Sequence, residues 1–105
     1  MTTNLANFTL YDTVICADGA RVSVQANETM WCTPRNNIGP YTAVEAGLPT
    51  VPPPASWAPF RAEVGPAIYA RLPVALLWEY FDAHGGVVGG DLPPGCERAA
   101  LEATK

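Results

Sequence analysis

Hydrophobic and polar positions alternate over much of the first third of the chain, and the alternation breaks at recognisable turns. Phe8 and Leu10, then Val14 with Ile15, stand roughly every second residue among polar neighbours, the two-residue period of a half-buried strand. Asp18-Gly19 follows, a pair that supplies the positive φ angles of a tight hairpin turn. Beyond it, Val22, Val24 and Ala26 fall on one face of a second strand over residues 21–26. Tyr41 to Gly47 resumes the alternation, with Tyr41, Ala43 and Glu45 on one side and Thr42, Val44 and Ala46 on the other, and predicts a third strand. Ala67 to Leu72 predicts a fourth.

The period then changes. Val74, Leu77, Trp78 and Phe81 fall at i, i+3, i+4 and i+7, one apolar stripe of a helix. Pro73 suits its first turn, where a missing N–H costs nothing. Gly85 is a natural left-handed residue to end it, with His84 near the negative end of the helix dipole. Val87-Val88 offers a short further strand, and Glu97 to Ala103 a short terminal helix with a thin apolar face.

Composition adds loops to this pattern. The 11 prolines and 9 glycines require much turn and irregular backbone, while 49% hydrophobic residues suffice for a packed core. Residues 48–59 hold five prolines, three of them consecutive (Pro52, Pro53, Pro54), and favour polyproline II. Trp57 and Phe60 at the far end of that segment are expected to pin it across the domain surface. The expected architecture is a single α+β domain over residues 1–105. A small antiparallel sheet of three to four strands carries one main helix on a face, with long Pro/Gly-rich loops and a loose tail over 91–105.

Charge narrows the partners. The formal net charge is −4, with 10 acidic and 6 basic side chains and no basic run, which argues against direct nucleic-acid binding. The longest apolar run, Val74 to Trp78, is far too short to span a bilayer, and the opening residues do not read as an export signal, so no membrane role is expected. The three cysteines, Cys16, Cys32 and Cys96, lack C-x-x-C spacing and are expected as reduced, buried thiols. A Cys16–Cys32 disulfide is the alternative if the chain works outside the cell. With His84 the sole histidine, no metal site is expected; without a phosphate loop, no cofactor is expected.

Candidate chemistry is sparse. Cys32 near Arg35 has the composition of an activated thiolate, since a neighbouring cation lowers a thiol pKa; the alternative is a packed cysteine beside a structural arginine. The carboxylates are scattered, and His84 lies where capping is the ordinary role. No catalytic residue is assigned, and the chain is not expected to be an enzyme.

The loop from Met30 to Tyr41 combines Trp31, Arg35, Asn36, Asn37 and Tyr41 ahead of Glu45, residue types favoured at binding hot spots. Two accounts stand side by side. In one, these six residues form a partner-binding surface. In the other, Trp31 and Tyr41 are core, Arg35 pairs with Glu45 or Glu28, and Asn36-Asn37 turns the chain. A patch of Trp57, Phe60 and Tyr69 is a second candidate surface, with core packing as its alternative.

The stretch Ser23-Val24-Gln25-Ala26, then Cys32-Thr33-Pro34-Arg35-Asn36-Asn37, followed by Gly39-Pro40-Tyr41, Val44-Glu45 and Gly47, resembles a group of small uncharacterised proteins of tailed bacteriophages and prophages. So do the aromatic strand leading into the helix (Tyr69 to Val74) and the closing His84-Gly85-Gly86. The resemblance covers roughly residues 10–90. It implies a compact phage accessory protein working in the host bacterial cytoplasm. With no catalytic residue assigned, the expected role is to bind a host protein without catalysis, for example as an inhibitor of a CRISPR defence system. The alternative is a virion component, capsid-decorating or tail-accessory, that contacts phage structural proteins. A monomer and a homodimer both remain open.

Overall fold

A hairpin and a helix cap organise the chain at one end of the molecule. In a computed structural model that describes residues 10–63 and 65–98, β1 (Val14–Cys16) and β2 (Arg21–Gln25) pair antiparallel, with Val14 opposite Val22. The connection is a three-residue loop, Ala17 to Gly19. The Gly19 N–H donates to the Cys16 carbonyl (2.9 Å), and the Cys16 N–H to the Ala20 carbonyl (2.8 Å). Gly19 alone in this loop takes a positive φ, 93°, whereas a two-residue Asp18-Gly19 turn would need both residues there. The Asp18 carboxylate, itself exposed, accepts from the Ala20 N–H (2.9 Å) and bonds His84 Nδ1 (2.7 Å).

β2 pairs with β3 (Ala43–Gly47), and β3 with β4 (Ile68–Pro73). After α1 (Val74–Ala83), β5 (Val87–Gly89) returns to the far side of β1. The sheet is wholly antiparallel, in the order β4-β3-β2-β1-β5, so the fold class is α+β with five strands rather than three or four. The two edge strands run in the same direction, so the chain must be carried back between them, and α1 does this across one face. Pro73 closes β4 rather than sitting inside the helix, and the Val74 N–H is satisfied by the Thr42 carbonyl (3.1 Å).

Alternation of side chains decides which face the helix covers. Val14, Val22, Val24, Val44, Ala46 and Leu72 point to it, all buried, against Val74, Leu77, Tyr80 and Phe81 of α1. The helical stripe therefore includes Tyr80, whose hydroxyl donates to the Arg21 carbonyl (3.0 Å) and so reaches the sheet while its ring stays in the core. Trp78 lies on the flank of that stripe, where its indole N–H donates to the Cys96 carbonyl (2.7 Å). Arg98 stacks on its ring at 4.4 Å and also pairs with Asp82. The helix ends as its glycines require: Gly85 has φ 88°, and the Gly86 N–H reaches back to the Phe81 carbonyl (2.8 Å).

The proline segment keeps polyproline geometry at Pro54 (φ −57°, ψ 153°) and leaves it immediately afterwards. Residues Ala55–Phe60 wind into a 3-10 helix that drops Trp57 into the core, fully buried, between Tyr69 and Tyr80 (ring centroids 5.2 and 5.3 Å away). Its indole N–H donates to the Leu76 carbonyl (2.8 Å), so the one polar atom of the ring is satisfied. Tyr69 is also buried and Phe60 half-buried, so Trp57, Phe60 and Tyr69 form core rather than a surface patch. The strand expected from Phe8 onward begins only at Val14: Leu10 is exposed coil, and Phe8 lies outside the described residues. Most of the terminal helix expected over 97–103 also lies outside them.

Two expectations follow. Leu77 is fully buried under the sheet, so Leu77→Ala should cost about 2–5 kcal/mol in urea unfolding, through lost burial and the cavity left behind. The Asp18 carboxyl is held below its usual range, first by the Ala20 N–H and then by His84. A lowered folded-state pKa stabilises above the unfolded-state value, and that contribution is lost as pH falls through the folded one. Asp18→Asn should therefore reduce stability at neutral pH and flatten its loss below the ordinary carboxylate range, read from melting temperature against pH.

Candidate functional site

The segment between β2 and β3 is built on asparagine turns. Asn27, fully buried, accepts through Oδ1 from the Thr29 N–H (2.8 Å) and the Thr29 hydroxyl (2.7 Å), and its carbonyl accepts from Met30 N–H (3.2 Å). Asn36 repeats the device, with Oδ1 accepting from the Ile38 and Gly39 N–H groups (3.0 and 2.9 Å). Asn37 Oδ1 accepts from the Glu28 N–H (2.9 Å), and Arg35 Nε donates to the Glu28 carbonyl (3.2 Å), so these two side chains tie one limb of the loop to the other. Arg35 thus meets the backbone of Glu28, not a carboxylate.

Tyr41 belongs to the core. It is 2% exposed, with its hydroxyl donating to the Asn36 carbonyl (2.8 Å) and its N–H to the Pro94 carbonyl (2.8 Å), and burial pushes its pKa up. Asn36, Asn37, Arg35 and Tyr41 therefore brace the loop internally. Trp31 does the opposite. It is 43% exposed, while its immediate neighbour Cys32 is buried.

What holds Trp31 outward is its backbone. Its N–H donates to Glu45 Oε1 (3.2 Å), and its carbonyl accepts from the Arg71 N–H (2.9 Å). Glu45 points away from the helix, on the face of the sheet opposite the core, across from Gln25 of β2. Arg71 occupies a bulge. Between the pairs Val44–Leu72 and Ala46–Tyr69, Glu45 alone faces both Ala70 and Arg71. Arg71 has φ 51°, a left-handed conformation rare for a residue with a Cβ and costly to hold. The bulge turns the Arg71 N–H toward Trp31 and leaves its side chain exposed.

Two open cavities meet at the indole. One, of about 440 Å³, is lined by Thr29, Met30, Trp31, Glu45, Ala62 and Ile68. The other, of about 560 Å³, is lined by Trp31, Ala62, Glu63, Ala70 and Arg71. Of the six residues expected at a binding surface, Trp31 and Glu45 come together here. Met30, Ala62, Ile68 and Arg71 join them, and none of these four was singled out by composition. The left-handed state of Arg71 leaves no mark in the sequence, because its cause is a hydrogen bond to a residue forty positions away.

The three thiols are withdrawn from solvent. Cys32 is 2% exposed, and burial raises its pKa, outweighing the opposing effect of the Arg35 charge. Burial likewise raises Cys16 and pushes Cys96 up to about 12. All three are free. Among the described residues, no group of three or more His, Cys, Asp or Glu side chains is placed to hold a metal ion, and no helix is long and apolar enough to cross a membrane. Comparison with protein-family models, curated proteins and solved structures finds no match for this chain.

The bulge makes a direct test of the site's framework. Arg71→Gly should keep or raise stability, because glycine adopts a positive φ freely. Arg71→Val should fall about 1–2 kcal/mol below Arg71→Gly, the cost of holding a residue with a Cβ in the left-handed region. Urea unfolding of the two variants measures the difference.

Proposed function

We propose that this protein acts by binding another protein, without catalysis, through the face centred on Trp31. The observation that carries this is the exposure of a large aromatic ring whose backbone is fixed on both sides, by the Glu45 carboxylate and the Arg71 N–H. A tryptophan whose backbone is already fixed loses less conformational freedom on docking and presents a large apolar area, the properties of an interface anchor. The paired cavities beside it offer recesses for partner side chains.

The partner class comes from the phage resemblance and the charge. A small acidic protein of this kind, at net −4, suits a host protein whose own surface is basic, as in a nuclease or another nucleic-acid-handling defence component such as a CRISPR effector. Such a role belongs in the bacterial cytoplasm. A virion role would instead place the protein at stoichiometric copy number in purified particles.

The experiment is capture of partners by the tagged protein from phage-infected host lysate, beside the Trp31→Ala variant. The expected result is a host protein retained by the unaltered chain and reduced roughly tenfold or more with Trp31→Ala. Unfolding midpoints of the two proteins should stay close, since the ring removed is a surface one. Capsid or tail proteins in the eluate would favour the virion role. A melting temperature that collapses with Trp31→Ala would make the residue a structural brace.

A further inference from the structure

We infer that the cavity bounded by Met30, Trp31, Glu45 and Ile68 receives an arginine side chain presented by the partner protein; this rests on the binding role proposed above. Among the described residues Glu45 is the only charged one lining that cavity, and it is half-buried on the outer face of the sheet. Its Oε1 is engaged by the Trp31 N–H, while among the described residues Oε2 has neither a hydrogen bond nor an ion pair. A carboxylate drawn partly out of water with one oxygen uncommitted is an acceptor for a charge-assisted donor.

The walls select which donor. Met30 and Ile68, both half-buried, give the recess an apolar side, and Trp31 gives it an aromatic one. An occupant must therefore be aliphatic along its length and cationic at its tip. Lysine and arginine both meet this description. Arginine fits better, because its planar guanidinium stacks on an indole and donates several N–H bonds at once, and is less strongly hydrated than an ammonium. Arg71 does not fill this role from within the chain: it lines the neighbouring cavity with Glu63 and Ala70, and Trp31 is shared between the two. The net charge of −4 adds a long-range attraction for a basic segment.

The test is a titration of the full, ¹⁵N-labelled chain with N-acetyl-arginine-N-methylamide, followed by NMR, beside the lysine and norleucine analogues. Saturating shifts are expected at the Trp31 indole N–H and at the Glu45 and Ile68 amides with the arginine probe, weaker ones with lysine, and none with norleucine. Glu45→Gln keeps an oxygen to accept from the Trp31 N–H but removes the charge, and should weaken arginine binding roughly tenfold with the rest of the spectrum unmoved. Equal shifts from norleucine, or arginine shifts lying elsewhere on the protein, would overturn the inference. The lysate experiment separates it from the underlying role. Partner capture lost with Trp31→Ala but retained with Glu45→Gln rejects arginine recognition and leaves the binding face. Capture retained in both variants rejects the face itself.

Discussion

Burial of Trp57 is the constraint on which the rest of this structure depends. A small sheet with a single ten-residue helix on one face has little to bury, and the largest ring in the core comes from neither element. It is delivered by the 3-10 helix that ends the proline segment, and it touches both partners: Tyr69 on β4 and Tyr80 on α1. Its indole N–H bonds the Leu76 carbonyl, so its position relative to the helix is set by a directional contact as well as by packing. The prolines that precede it limit how the chain can approach. Their restricted φ lowers the entropy lost in fixing the ring in place.

The two faces of the sheet are consequently unequal. One is sealed by α1 and by Trp57. The other carries Ser23, Gln25 and Glu45, and is crossed by the Tyr11 backbone, which exchanges hydrogen bonds with the Gln25 side chain (2.9 and 2.6 Å). Trp31 stands at the β4 side of this second face. Its exposure is not a failure of packing, because every buried side-chain polar atom among the described residues has a partner and the loop that carries it is tied at both limbs. The strained Arg71 backbone is part of the same arrangement, costing stability while its N–H bonds the carbonyl of the exposed Trp31.

Much of the framework could be read along the chain. Period-two spacing marks Val22 and Val24, and helical spacing marks Leu77 and Phe81, because burial on one face leaves a local signature. Gly85 signalled the helix end for the same reason: its conformation is a local property. The signal fails where distant contacts decide. Leu10 alternates correctly with its neighbours and is nevertheless exposed coil. Trp31 and Tyr41 were indistinguishable by type, and only the Glu45 and Arg71 contacts to one, and the Asn36 and Pro94 contacts to the other, send them to opposite environments. The inward turn of the proline segment was hidden likewise, because polyproline preferences describe the prolines and not the tryptophan behind them.

The strand order carries a consequence for how the chain is made. β1, β2 and β3 occupy the middle of the sheet, and both edge strands, with the helix between them, come from the second half. A ribosome that has released the chain only as far as Gly47 has delivered a three-stranded meander with two open margins and a bare apolar face. That intermediate offers unpaired backbone on either side and has neither Trp57 nor α1 to cover Val22, Val24 and Val44. Synthesis must run on through Gly89 before the sheet is framed and roofed, so the vulnerable interval lasts from the completion of β3 to the completion of β5.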